Sequence, residues 1–163
     1  MRGLRSTVVT ALAMVAVASC GLSDQQLKPT MTKDQAAQQV TSYDVQILTA
    51  LLGKPQSSTK EPSSLGCETA DIPGPKGRVE LSTDSTVAAD HPEGNPAIFQ
   101  ALKTEMSSLG FDQTGTMGTD LFFKNKSNGF TVMMEESSDA SKTLTLSVAS
   151  PCVWPNGTSG PGT

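Results

Sequence analysis

Apolar residues recur at helical spacing in two segments of the chain, and the first segment begins at Thr32. Thr32 and Gln35 fit a capping box, in which each side chain bonds the backbone N–H of the other residue. The apolar stripe behind them consists of Ala36, Val40, Tyr43, Ile47 and Leu51, widened by Leu48 and Leu52. Because Gly53 and Pro55 are typical of a helix end, the pattern predicts a long amphipathic helix between Thr32 and Gly53.

The second helical segment follows a loop that contains His91. Asn95 is placed to cap this helix, Pro96 suits its first turn, and Gly110 suits the position just after its last turn. Its apolar face consists of Ile98, Phe99, Leu102, Met106 and Leu109. This spacing predicts a second amphipathic helix, with Asn95 as its N-cap.

Elsewhere, apolar and polar residues alternate with the period of a β-strand. Val79 and Leu81 alternate with polar neighbours in a segment that begins at Arg78. Three later strands are predicted at residues 121–124, 130–135 and 143–148, separated by turns at 128–129 and 137–140. Short segments near Leu65 and Thr114 are compatible with either a strand or an extended loop.

The order of these elements predicts an α+β fold. The last three strands form two consecutive hairpins and hence an antiparallel meander, which the Arg78 strand would join. Neither helix has another apolar surface to cover, so both are expected on the same side of the sheet. We therefore predict an antiparallel sheet of about four or five strands with two helices packed on one face.

The N-terminus is patterned differently from the rest of the chain. Arg2 and Arg5 precede an uncharged, mostly apolar run over residues 8–18. A helix needs roughly 20 residues to cross a bilayer, so this run is too short to span one, but it has the layout of an export signal. Residues 1–19 are therefore expected to be removed, which leaves roughly 140 residues, enough for one domain.

The segment Val17-Ala18-Ser19-Cys20 resembles the lipobox of bacterial lipoproteins. The resemblance implies cleavage between Ser19 and Cys20 and a diacylglyceryl group on the Cys20 thiol, which would hold the chain on a membrane. Two acyl chains are enough for stable anchoring. The alternative is an ordinary secretory signal cut after Ala18, which would leave a free thiol at the N-terminus.

These assignments divide the precursor into four parts. They are a signal peptide at residues 1–19, a lipidated tether at 20–32, a single α+β domain at 33–155 and a disordered tail at 156–163.

The chain has three cysteines, an odd number for an exported protein. Lipidation of Cys20 leaves Cys67 and Cys152, which an oxidising compartment would join in a disulfide. The alternative is a redox-active or metal-binding pair, which is poorly supported because neither cysteine lies in C-x-x-C and no histidine is near either of them in sequence. We therefore predict a structural disulfide between Cys67 and Cys152.

The ending, residues 146–155, is similar to the endings of small actinobacterial lipoproteins of the mycobacterial type. Those chains close with a strand, a Ser-Pro-Cys turn and an aromatic residue, as Ser150, Pro151, Cys152 and Trp154 do here. The resemblance implies an extracytoplasmic α+β domain and carries over no catalytic residue. Trp154 is expected to pack against the disulfide and the sheet end, the alternative being an exposed platform for a ligand.

Charge excludes one class of partner. Removal of residues 1–19 takes away Arg2 and Arg5, so 12 − 2 = 10 basic side chains face 16 acidic ones. No basic cluster offers the footprint of a nucleic-acid binder, and none lies beside Cys20 to attract anionic headgroups. The lipid on Cys20 is therefore the expected membrane contact, and no nucleic acid is expected as a partner.

Residues that could support catalysis are scattered. His91 is the single histidine, and there is no G-x-S-x-G motif, so a nucleophile lacks its usual base. Glu135 and Glu136 are neighbours on a predicted strand and should face opposite sides. Met133 and Met134 diverge in the same way, with no His or Cys to join them as metal ligands. We expect neither an enzyme nor a metal site, and no cofactor beyond the covalent lipid on Cys20.

The residues thus favour a noncatalytic envelope lipoprotein that faces outside the cytoplasm. Its domain would bind a protein, glycan or lipid partner. The alternative is a lipid or glycolipid carrier with an apolar cavity between the helices and the sheet.

Overall fold

A computed structural model of the chain describes residues 28–53, 60–68, 75–87 and 94–159. The predicted signal peptide, the Ser19–Cys20 cleavage site, the lipidated Cys20 and the loop with His91 lie outside the described residues. Within these ranges, neither helix combines the length and apolarity needed to span a bilayer.

Six strands form one antiparallel sheet. In chain order they are β1 (Ser63–Gly66), β2 (Val79–Val87), β3 (Phe111–Met117), β4 (Asp120–Asn125), β5 (Thr131–Glu136) and β6 (Leu144–Ala149). Their order across the sheet is β1-β2-β6-β5-β4-β3, and every neighbouring pair is antiparallel. The predicted α+β class is confirmed, and the strand count is six where four or five were expected.

Both segments that the sequence left open, near Leu65 and Thr114, are edge strands. All four residues of β1 are exposed, so no alternation of buried and exposed positions marks it in the sequence. In β3 only Phe111 is buried, and a bulge between Gln113 and Gly115 interrupts the register with β4. The segment near Thr114 is therefore a bulged edge strand.

The first helix, α1 (Lys33–Leu52), has the predicted ends. The Gln35 N–H donates to the Thr32 hydroxyl at 3.2 Å, and the Thr32 N–H donates to Gln35 Oε1 at 2.9 Å. Gly53 closes the helix in the left-handed region, at φ 64°, and its N–H donates to the Thr49 carbonyl at 3.0 Å. The capping box and the glycine stop are thus confirmed.

The second helix, α2 (Asn95–Ser108), begins differently from the prediction. Its N-cap is Gly94, and no side chain caps it. The Asn95 amide instead donates to Glu136 Oε2 at 2.9 Å and to the Lys142 carbonyl at 2.8 Å. The N-cap role predicted for Asn95 is wrong, because its side chain joins the helix start to the connection between β5 and β6.

Both helices cover the same face of the sheet. The fully or almost fully buried side chains of this layer are Ala36, Val40, Tyr43, Ile47, Leu81, Val87, Leu102, Met106, Phe111, Leu121, Phe123, Phe130, Val132, Met134, Leu144, Leu146 and Val148. The Tyr43 ring meets the rings of Phe111 and Phe130 edge-on, with centroids 5.1 and 5.4 Å apart. This packing confirms the predicted arrangement of two helices on one side.

A disulfide joins Cys67 to Cys152, as predicted, with Cα atoms 6.1 Å apart. It links the end of β1 to the segment after β6 across 85 positions of sequence. In the chain-entropy model a loop of this length contributes about 4 to 5 kcal/mol as an upper guide. The disulfide therefore connects β1, the first strand, to the segment that follows β6, the last strand.

Trp154 is buried, with 2% of its surface exposed. Its neighbour Val153 pairs with Val79 at the start of β2, and its own N–H donates to the Thr30 hydroxyl at 2.8 Å. The expectation that Trp154 packs at the sheet end is therefore confirmed over the exposed platform. The Thr30 N–H donates to the Gly157 carbonyl at 2.8 Å, so contacts continue on both sides of the predicted limits 33 and 155.

Candidate functional site

The sheet has a second face that no helix of the described chain covers. On β4, β5 and β6 the buried positions alternate with partly or fully exposed ones, as a period of two requires. Phe123 and Val132 are 3% and 1% exposed because they point toward the helices. Phe122 and Met133, their sequence neighbours, are half-buried and point the other way.

Strand register gathers the outward side chains of these three strands into two rows. Phe122 pairs with Met133, and Met133 pairs with Ser147. One row closer to the disulfide end of the sheet, Lys124 pairs with Thr131, and Thr131 pairs with Ala149. Directly opposed side chains on one face are close enough to touch. The two rows therefore form a continuous patch on β4, β5 and β6.

A shallow cavity of about 400 Å³ lies over this patch, and we call it the sheet groove. Its lining residues are Thr114, Phe122, Phe123, Lys124, Thr131, Val132, Met133, Ser147 and Ala149. Sites for small molecules span about 300 to 1,000 Å³ and combine apolar walls with a few polar groups. The sheet groove has both properties.

The floor of the groove is apolar and adaptable. Phe122, Met133 and Ala149 are half-buried, so each still presents part of its surface to solvent. The unbranched thioether of Met133 can change rotamer to fit a ligand of irregular shape. An apolar surface of this kind gains free energy when a ligand covers it.

Two of the four polar side chains in the lining already have partners. The Thr114 hydroxyl donates to the Phe122 carbonyl at 3.3 Å, and the Ser147 hydroxyl donates to Asp84 Oδ1 on β2. Lys124 and Thr131 are exposed and make no side-chain hydrogen bond or ion pair with any other described residue. These two cross-strand neighbours therefore remain available to a ligand.

Two other cavities open beside α1. One, of about 500 Å³, lies between α1 and the β1–β2 edge and is lined by Lys33, Asp34, Ala37, Gln38, Thr41, Glu61, Pro62 and Leu81. The other, of about 520 Å³, lies on the surface of α1 against glutamine and serine side chains. The first lining combines apolar residues with charges of both signs, and the second combines Met31 with neutral polar groups, so both are more polar than the sheet groove.

Asp44 is an unusual buried group, with 1% of its surface exposed between α1 and β2. Ser85 of β2 donates to its Oδ2 at 3.1 Å, while Oδ1 has no partner among the described residues. Burial raises the pKa of the Asp44 carboxyl, and the hydrogen bond from Ser85 opposes this only in part. Its position between Val40 and Ile47 on the apolar stripe could have revealed it in the sequence.

The structure separates the other predicted candidates. Glu135 is exposed, whereas Glu136 accepts from Asn95 and lies 3.5 Å from Lys142 Nζ, so the two carboxylates form no dyad. Met134 is fully buried in the core, on the side of the sheet opposite Met133. Across the described residues, no three His, Cys, Asp or Glu side chains cluster as a metal site would require.

Comparison of the chain with protein families, curated proteins and solved structures finds no match. The geometry of the chain itself therefore has to support any functional assignment. Sequence reasoning missed the sheet groove, although the adjacent aromatic residues Phe122 and Phe123 on one strand require that one of them faces away from the core.

Proposed function

We propose that this chain is a membrane-anchored lipoprotein of the cell envelope whose domain is a noncatalytic binding module. The sheet groove is the observation that carries the binding role. It offers an apolar floor and two unpaired polar groups on a rigid sheet, which is the composition of a ligand site.

Sequence features support the anchor and the location outside the cytoplasm. The N-terminal run and the segment Val17-Ala18-Ser19-Cys20 match an export signal that ends in a lipidation site. Of the three cysteines, Cys67 and Cys152 are bonded to each other, which leaves Cys20 for a lipid. The partner is then the membrane, through the lipid on Cys20, together with an envelope protein, glycan or lipid bound by the domain.

A lipid carrier would need its apolar cavity between the helices and the sheet. In the described ranges that layer is filled by side chains such as Ile47, Leu102, Met106 and Leu146, all of them 0% exposed. Interiors of this kind are packed as densely as organic crystals. The observations thus favour a ligand on the helix-free face over one inside the domain.

A photoreactive residue in the groove tests the binding role. We expect p-benzoylphenylalanine in place of Met133, in the full chain expressed in a bacterium, to form a defined adduct on irradiation. Ala149→Trp, which fills the groove, should lower the adduct yield about fivefold or more, because about 1 kcal/mol of lost affinity has that effect. Mass spectrometry of the purified chain measures the yield.

Two controls define the outcome. Thr145→Trp adds the same bulk on the same face of β6, outside the groove lining, and should leave the adduct unchanged. The same photoreactive residue in place of Met117, which is 68% exposed on β3, should give no comparable adduct. Equal adducts at the two positions, or an adduct insensitive to Ala149→Trp, would contradict the proposed function.

A further inference from the structure

The sheet groove is apolar along one row and polar at one end of the next. Phe122 and Met133 form the apolar part of one row, and Ala149 adds an apolar side chain on β6 in the next row. Lys124 and Thr131, directly opposed across β4 and β5, place an ammonium and a hydroxyl side by side at its end. A ligand that fits this layout has an apolar body and a polar head that accepts hydrogen bonds.

The charges around the groove specify the sign of that head. Lys124 is the one charged residue in the lining, so the lining has a net positive charge. Three acidic side chains lie around the groove. Asp112, which faces Lys124 across β3 and β4, is neutralised by Lys126 at 3.0 Å. Asp84 of β2 accepts from Ser147 on the β6 side of the groove, and Glu135 lies two residues beyond Met133 on β5, so both carboxylates are away from the Lys124 end. The Lys124 end of the groove is thus complementary to a single negative charge.

The size of the groove limits the apolar body. About 400 Å³ is close to the lower end of the range for ligand sites. A groove of this volume on one face of three strands suits one extended hydrocarbon chain better than the paired chains of a phospholipid.

The proposed lipid anchor would hold the groove close to a membrane, where ligands with one hydrocarbon chain are found. Thr30 is bonded to Trp154 and Gly157 at the end of the sheet toward which the row of Lys124, Thr131 and Ala149 lies. On the proposed anchor, the ten steps from Cys20 to Thr30 span at most about 35 Å. The groove would stay within reach of the membrane surface, where amphiphiles with a single chain dissolve.

We propose that the sheet groove binds a long-chain fatty carboxylate, with its hydrocarbon chain on Phe122, Met133 and Ala149 and its carboxylate at Lys124 and Thr131. The inference rests on the proposed binding function of the same groove and adds the class of ligand. Lys124 supplies a charge-assisted hydrogen bond to the carboxylate, and Thr131 supplies a second donor.

Photoaffinity labelling tests the ligand class. The probes are palmitic acid with a diazirine in its chain and the matching palmityl alcohol, each added to the full chain in phosphatidylcholine vesicles. We expect labelling on β4 and β5, close to Phe122 and Met133. The acid should label about threefold to fivefold more than the alcohol, the ratio that an exposed ion pair supports.

Paired variants test the recognition of the carboxylate and of the hydrocarbon chain separately. Lys124→Gln should abolish the preference for the acid and change labelling by the alcohol little. Met133→Gln should lower labelling by both probes, because it makes the floor polar. Lys103→Gln on the exposed side of α2 and Met117→Gln on β3 lie outside the lining and should match the wild type. Thermal unfolding checks that every variant is folded.

The two proposals fail in distinguishable ways. Labelling that maps away from β4 and β5, equals the wild type in Met133→Gln, or is the same for acid and alcohol would overturn the fatty carboxylate. If the photoreactive residue at position 133 still captures a molecule that Ala149→Trp excludes, the binding function stands with another ligand class. Absence of both results would overturn both proposals.

Discussion

Asp44 places a carboxylate where the fold offers it too few partners. The hydroxyl of Ser85 satisfies one oxygen, while the other oxygen and the hydroxyl of Thr83 have no partner within the described chain. A buried polar atom without a partner costs about 1 to 3 kcal/mol. The contact between α1 and β2 is therefore less stable than an apolar contact of the same size would be.

Asp44→Asn should increase the free energy of unfolding at neutral pH, because it removes a buried charge and keeps an oxygen that can accept from Ser85. Burial raises the pKa of Asp44 above the usual 3.8, so the folded chain holds this proton to higher pH than the unfolded chain does. The contribution of Asp44 to stability is then highest below the unfolded pKa and falls as pH rises through the folded pKa. Urea unfolding from pH 3 to pH 7 should show the advantage of Asp44→Asn growing with pH.

Glu135→Gln is the matched control for Asp44→Asn, since it neutralises an exposed carboxylate on β5. Its free energy of unfolding should follow the wild type across the same pH range. A constant difference between Asp44→Asn and the wild type at every pH would contradict the account of Asp44 as a buried, ionising group.

At the scale of elements, the start of α2 is held by the side chain of Asn95, which does not cap the helix but bonds the connection between β5 and β6. Asn95 is 2% exposed, and its amide donates both to Glu136 at the end of β5 and to the Lys142 carbonyl before β6. Lys142 has a φ of 49°, the one non-glycine residue in the described chain with a positive φ. The amide of Asn95 therefore holds a constrained turn against the first residue of the helix.

Asn95→Ala should lower the free energy of unfolding by about 1 to 3 kcal/mol, because it leaves two acceptors without their donor. Gln100→Ala, at an exposed position of the same helix, should change it by less than about 0.5 kcal/mol. Urea unfolding with an unchanged m-value measures both. An equal, small effect of the two substitutions would show that water replaces the amide of Asn95.

The sequence predicts helices and strands well where one face of the element is buried and the other is exposed to solvent. Stripes such as Ala36, Val40 and Ile47 in α1, and the alternation of Leu144, Leu146 and Val148 in β6, follow directly from burial against the core. Strand β1 has no buried residue, so nothing in its composition distinguishes it from a loop. The pairing of Ser63 to Gly66 with β2 defines that strand, and such pairing is a tertiary property.

At the scale of the whole molecule, the groove depends on how three strands pair, which explains why sequence reasoning missed it. Phe122, Met133 and Ser147 adjoin only because β4, β5 and β6 pair in one register, and a shift of one residue would turn each of them toward the helices. Periodicity indicates which residues share a face of one strand. It does not indicate which residues of separate strands meet, or that the two helices of the described chain leave one face of the sheet uncovered.

The proposed anchor would hold the whole folded domain at the membrane. Thr30, near the start of the described chain, is hydrogen-bonded to Trp154 and Gly157 in the segment that follows Cys152 of the disulfide. Cys20→Ala should abolish metabolic labelling with radioactive palmitate and leave the precursor uncut at position 20. Ser19→Ala keeps a small residue before the cysteine and should retain full labelling. Secretion of an unlabelled wild-type chain cut after Ala18 would instead indicate an ordinary export signal, because only a lipidated cysteine keeps the domain, and its groove, at the membrane.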